Sequence, residues 1–217
     1  RGEIARRKRL PPPRADVIVR APPMNLPNQL TVARLVLSFV FVALLSIEGV
    51  AHFRTAALFA FVIAAITDFL DGHLARKHGL ITNFGKLMDP LADKVLMCAG
   101  FVLLTRLELI PAWMVIAILT REFLVTGLRL LATAEGVVLA AENLGKYKTI
   151  IQIVTIIYFL VYLAAKDPLL EGLQPLFNAF YLGPEYLGLV LIWVSLILTI
   201  WSGWSYMWKN RRLLGDM

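Results

Sequence analysis

Six predominantly apolar runs, near residues 31–50, 54–75, 87–106, 111–133, 147–166 and 186–208, leave this chain little choice of fold. Roughly 20 apolar residues carry a helix across the hydrocarbon core of a bilayer. The runs are too long for strands, and a helix satisfies its own backbone hydrogen bonds in lipid. Between them lie breakers or polar residues: Glu48-Gly49, Pro111, Glu142-Asn143 and Gly183-Pro184. Apolar residues reach 59% of the chain and charged ones only 17%, against about half and about a quarter in a soluble domain. The expected fold is an all-α integral membrane protein with six transmembrane helices seated in the lipid bilayer.

Lys and Arg near the helix ends set the orientation. Six spans put both termini on one side, together with the links after the second and fourth spans. Of the 22 Lys and Arg, all but Arg54, Arg106 and Lys166 belong to that side. Both termini are therefore expected to be cytoplasmic, in a multi-pass protein of the cell inner (cytoplasmic) membrane. The net charge of +7 is a topology signal. No basic module with interleaved aromatics accompanies it, so nucleic acid is not an expected partner. Trp201, Trp204 and Trp208 suit an aromatic belt where the last helix meets the headgroups.

Residues 1–23 are basic and Pro-rich, with too little apolar content for a core. They lack the apolar stretch of a signal peptide and read as a flexible basic tail, or a segment left over from expression. Arg6, Arg7, Lys8 and Arg9 can meet anionic headgroups. Met24 opens what reads as a natural start, so the membrane domain is placed at 24–217. The lone Cys98 is a packing residue on this reading, and His73 and His78, five apart, do not suit a metal pair on a helix. Phosphate-binding loops, Cys-pair zinc sites and nucleophile elbows are missing from the sequence.

The informative stretch is "TDFLDGHLARKHGLITNFGKLMDPLADK", residues 67–94. Asp68 and Asp71 are three apart and share a helix face; Asp89 and Asp93 are four apart and share another. The link between the two runs is short, so the helices are antiparallel neighbours and the faces can converge. Four carboxylates gathered there repel one another, and a cation relieves that repulsion. Oxygen donors without His or Cys point to a hard divalent ion: Mg²⁺, Mn²⁺ or Ca²⁺. Gly72, Ala75 and Gly85 are small enough for a backbone or ligand to come close. Arg76 offers a planar fork for phosphate oxygens. Together these residues read as a two-metal phosphotransfer centre at the cytoplasmic surface.

The spacing D-x2-D-G-x2-A-R-x8-G-x3-D-x3-D, from Asp68 to Asp93, resembles the signature of the CDP-alcohol phosphotransferase family at all its defining positions. Beyond it, "MNLPNQLTVARLVL", "MDPLADK" and "TREFLVTGLRLLATAEGVVLAAENLGKYKT" are similar to the family's bacterial branch that forms phosphatidylglycerol phosphate. Residues 1–23 show no such likeness. The resemblance implies six transmembrane helices, a homodimer, and a polar cavity open to the cytoplasm and to lipid. It implies two divalent cations, Mg²⁺ or Mn²⁺, held by Asp68, Asp71, Asp89 and Asp93, with Asp93 also acting as the base. Gly72, Ala75, Arg76 and Gly85 would seat the CDP moiety, within reach of Asn28 and Thr31. The substrates it implies are CDP-diacylglycerol and sn-glycerol 3-phosphate.

An acceptor that carries its own phosphate needs further cations. Arg121, inside an apolar run, is the foremost candidate, with Lys146 and Lys148 beside it. Arg129 has Glu122 and Glu135 near it in sequence and is expected to form a structural ion pair. The signature covers only the CDP half of the reaction, so a sibling enzyme using inositol phosphate, serine or phosphatidylglycerol shares it. A cation-coupled transporter is the other class; its charges tend to sit near the membrane midplane, whereas these carboxylates sit at helix ends.

Overall fold

The structure, a computed structural model, describes residues 26–47, 49–78, 83–134, 143–179 and 183–211; side chains at 26–28, 68–91, 93, 134, 143 and 179 fall outside that description. Six long helices carry the fold: α1 (Leu26–Ser46), α2 (Phe53–His78), α3 (Asn83–Arg106), α4 (Ala112–Ala134), α5 (Asn143–Ala164) and α7 (Leu189–Lys209). A 3₁₀ turn (Glu171–Leu173) and the short α6 (Gln174–Ala179) occupy the link before α7, and a π turn (Pro184–Gly188) leads into it. Among the described residues there is no strand.

The helix ends follow local chemistry. Gly49 takes a left-handed φ of +77° in the turn between α1 and α2, a conformation open to glycine without steric cost. The Pro111 carbonyl accepts from the Met114 and Val115 amides at the start of α4. At the start of α2, the buried Asp167 carboxylate accepts from both the backbone N–H and the hydroxyl of Thr55, each at 2.9 Å. That bond satisfies a free N-terminal amide and pins α2 to the segment after α5.

Among the described residues, three segments, Gln29–Ser46, Leu144–Ala164 and Pro184–Lys209, are long and apolar enough to cross a membrane. In α2 the described side chains end at Thr67, so its apolar part is traced over Phe53–Thr67. In α4, Arg121, Glu122 and Arg129 break the apolar stretch. Helical backbone continues through these charges, so the charged residues are inside helices and not in loops.

The bundle is polar on the inside and apolar on the outside at one end. Phe39, Phe59, Ile63, Ile116, Phe123, Ile150, Ile197 and Trp201 all point outward and are exposed. A water-soluble bundle carries polar residues on that face; here the outer surface is suited to lipid. Trp204 and Trp208 are exposed and stacked, with Arg211 over Trp208, in keeping with an interfacial belt.

Inside, helical spacing of three and four divides the bundle into two layers. Phe41 and Leu45 of α1, Phe61 of α2, Phe101 and Leu104 of α3, Ile118 of α4, Phe159 and Leu163 of α5, and Leu196 of α7 make an apolar core. The Phe41 and Phe61 rings meet at 5.3 Å within it. Toward the end where α1, α3 and α5 begin, the same stripes turn polar. Thr31, Arg34 and Ser38 are buried on α1, Glu122 on α4, Lys148, Gln152 and Thr155 on α5, and Ser195, Thr199 and Ser202 on α7. Buried polar groups in an apolar solvent are costly without partners, so this layer is the candidate site.

Candidate functional site

Asp68 and Asp71 lie on α2, and Gly85, Asp89 and Asp93 on α3, both unbroken helices. The buried positions Ala57, Phe61 and Ala64 of α2 continue, by steps of four and three, to 68 and 71. On α3, Leu96 and Gly100 are buried, and the same steps run back to 93 and 89. The aspartate positions thus extend the inward stripes of both helices. Their side chains, and those of Asn28, Gly72, Ala75, Arg76 and Gly85, lie outside the described residues. Thr31 is described and is buried, on one face of α1 with Arg34 and Ser38.

The best-defined polar arrangement centres on Glu122. Its Oε2 lies 3.2 Å from Lys94 Nζ of α3, and its Oε1 accepts from Lys148 Nζ of α5. Arg121 Nη1 is 3.6 Å from Oε1. Gln152 Nε2 donates to Oε1 at 3.3 Å and to the Thr199 hydroxyl of α7 at 3.0 Å. That hydroxyl donates in turn to the Ser195 carbonyl at 2.6 Å. One carboxylate thereby ties together α3, α4, α5 and, through Gln152, α7. Among the described residues the cluster gathers three cations around one anion, a surplus of positive charge suited to an anionic ligand.

Arg121 and Lys148, both expected at the site, meet there. Lys146 does not join them: it is exposed, two residues before Lys148 and so turned to another face of α5. The described side-chain contacts of Arg129 lie on α7. Its Nε donates to the Tyr206 hydroxyl at 3.3 Å, and its guanidinium lies 5.3 Å from the centre of that ring. Of the two carboxylates near it in sequence, Glu122 is the partner of Lys94 and Lys148, and Glu135 lies outside the described residues.

Lys94, Glu122, Gln152, Thr199 and the fully buried Arg34 were missed as site residues. Helical spacing carries the signal for them. Val115, Ile118, Glu122 and Val125 form one stripe of α4, and Lys148, Gln152, Thr155 and Phe159 one stripe of α5. A charge on such a stripe faces the interior. Arg34, three after Thr31 and four before Ser38, is an intramembrane arginine by the same test.

The network predicts a graded effect on stability. Glu122→Ala strands the buried Lys148 ammonium and the partly buried one of Lys94, and is expected to cost about 3 kcal/mol or more. Gln152→Leu removes neutral hydrogen bonds and should cost about 1 kcal/mol. Unfolding of both variants in detergent micelles checks the order; equal, small losses would show that Glu122 does not hold the helices together.

Known proteins converge on one chemistry. Residues 24–201 match the family model described as CDP-alcohol phosphatidyltransferase. The chain is 41% identical over 203 residues to a CDP-diacylglycerol–glycerol-3-phosphate 3-phosphatidyltransferase of Bacillus subtilis (strain 168), an alignment covering 88% of this chain and 97% of that protein. It is 36% identical over 182 residues to a protein of the same name from Rickettsia typhi (strain ATCC VR-144 / Wilmington), covering 84% of this chain and 94% of the relative.

Proposed function

Since the chain belongs to the CDP-alcohol phosphatidyltransferase family, we propose that it transfers the phosphatidyl group from CDP-diacylglycerol to sn-glycerol 3-phosphate. The 1-hydroxyl of the acceptor attacks the β-phosphorus of the lipid pyrophosphate. A new P–O bond forms, the bond to CMP breaks, and phosphatidylglycerol phosphate results. The names of relatives at 41% and 36% identity support the choice of acceptor.

The chain's residues divide the work. Asp68, Asp71, Asp89 and Asp93 form an all-oxygen donor set without His or Cys, which fits Mg²⁺ or Mn²⁺. Two such ions, when bound, supply neutralisation of the pyrophosphate and of the departing CMP. Asp93 takes the proton released by the attacking hydroxyl. Gly72, Ala75 and Gly85 leave room for the CDP moiety, Arg76 meets its phosphate oxygens, and Asn28 and Thr31 approach the nucleotide from α1. The long helices span the cytoplasmic membrane six times with both termini and the active site toward the cytoplasm, in line with the distribution of Lys and Arg. The protein works as a homodimer, as its resemblance to the family implies.

The observation that carries the acceptor assignment is the meeting of Lys94, Arg121 and Lys148, from three helices, at Glu122. The acceptor's phosphate brings roughly two negative charges that need charge-assisted hydrogen bonds. Arg121 and Lys148 supply them, with Lys146 a weaker contributor from its exposed position. Arg121→Ala is expected to raise the KM for glycerol 3-phosphate at least about tenfold, or about 1.4 kcal/mol, with little change for CDP-diacylglycerol. Initial rates with each substrate varied in turn test this. An equal loss for both substrates would make Arg121 a structural ion-pair partner.

A further inference from the structure

Helix α7 reaches the cluster at two places one turn apart. Thr199 accepts from Gln152, which in turn donates to Glu122. Four residues on, the buried Gly203 lies directly under the stem of Arg121. A Cβ added at Gly203 would stand 2.8 Å from Arg121 Cγ, 3.3 Å from Nε and 3.6 Å from Cδ. The first distance is shorter than carbon atoms tolerate, so either α7 or the arginine would have to move.

Arg121 has little freedom to yield without consequence. Its neighbour Glu122 is fixed by Lys94, Lys148 and Gln152, so the α4 backbone is held at that point. Gly203 in turn is only one helical turn past Thr199, which is tied into the same network. A shift must therefore be taken up by the arginine side chain. A displacement at Cγ is carried outward along the stem to the guanidinium, whose hydrogen bonds depend steeply on distance and angle.

Two other glycines show that tight packing alone does not explain this position. A Cβ at Gly100 would meet Ile156 Cδ1 at 2.9 Å, and one at Gly188 would meet Phe159 Cζ at 2.9 Å. Both face apolar side chains. Gly203 is set against a cation of the acceptor cluster. Glycine within a helix is less favourable than alanine by about 1 kcal/mol, so its place in the middle of α7 calls for a reason of this kind.

We infer that Gly203 is a positioning residue for the acceptor: its bare backbone is the surface on which the Arg121 stem lies, and it sets the reach of the guanidinium toward the acceptor's phosphate. This rests on the reading of Arg121 as the phosphate ligand. Gly203→Ala is expected to raise the KM for glycerol 3-phosphate about tenfold, the scale of loss that follows a displacement of somewhat under 1 Å. The KM for CDP-diacylglycerol should stay within about twofold. Gly188→Ala, a clash of like size in the turn that leads into α7, should lower thermal stability and leave the KM for glycerol 3-phosphate as it is.

The deciding experiment is a double-mutant cycle measured in detergent micelles with purified full-length protein. On an Arg121→Ala background the obstructing stem is gone, so adding Gly203→Ala should change the KM for glycerol 3-phosphate by less than about twofold. If Gly203→Ala alone does not fold, the double variant should fold, because truncating Arg121 removes the clash. A full additional loss on the Arg121→Ala background, or a double variant that also fails to fold, overturns the inference and makes Gly203 a packing residue. If Arg121→Ala itself leaves the KM for glycerol 3-phosphate at the wild-type value, the acceptor assignment fails first, and that result is distinct from additivity.

Discussion

Asp93→Asn is expected to cut turnover about a thousandfold, within the range that a positioned general base contributes, while the KM for CDP-diacylglycerol changes far less. A base acts chiefly in the transition state, so its loss appears in kcat. Asparagine keeps the shape and can still offer an oxygen, but it cannot take the proton of the attacking hydroxyl. The neighbouring Lys94 is drawn to Glu122, with 3.2 Å between Nζ and Oε2. That contact ties the middle of α3 to α4 one residue away from Asp93. Stopped single-turnover rates and lipid-binding measurements on the variant separate the two quantities. A variant with normal turnover and only weakened lipid binding would reassign Asp93 to holding the cation alone.

Chelation should be as damaging. Treatment with EDTA is expected to reduce activity by about a thousandfold or more, because charge neutralisation of this kind is worth several kcal/mol and each 1.4 kcal/mol is tenfold in rate. Added Mg²⁺ or Mn²⁺ should restore it. Asp89→Asn should give a similar loss that added metal restores poorly, with the protein still folded, since the apolar core lies in the other half of the bundle around Phe41, Phe61, Phe101 and Phe159. Full activity in metal-free enzyme would contradict the proposed role of the four aspartates.

The helices were legible because apolar length and period are local properties. The expected runs at 54–75, 87–106 and 147–166 correspond to Phe53–His78, Asn83–Arg106 and Asn143–Ala164. The offsets fall at the polar ends, where hydropathy stops but backbone hydrogen bonding continues. The 3₁₀ turn and α6 were not foreseen. Elements this short draw their stability from tertiary contacts, such as Phe177 against Tyr158 and Tyr162.

The aspartate signature was legible because its chemistry is written at fixed spacing. The charged cluster at Glu122 was only half legible. Arg121 stood out as a charge within apolar sequence, but its companions depend on which helices meet. Lys146 and Lys148 look alike in a linear reading; only the stripe they share with Gln152 or lack decides between them. Glu122 lies seven residues before Arg129 in sequence, and the fold delivers it to cations from α3 and α5. Gly203 carries no chemistry of its own and becomes visible only when the Arg121 stem is seen across it.

The most direct test of the proposed reaction is acceptor-dependent release of CMP. Purified protein with CDP-diacylglycerol and Mg²⁺ should release CMP when sn-glycerol 3-phosphate is added, and the lipid product should carry both phosphates. Inositol phosphate, serine and phosphatidylglycerol should leave the rate at background. Release of CMP with one of those acceptors, and none with glycerol 3-phosphate, would contradict the account.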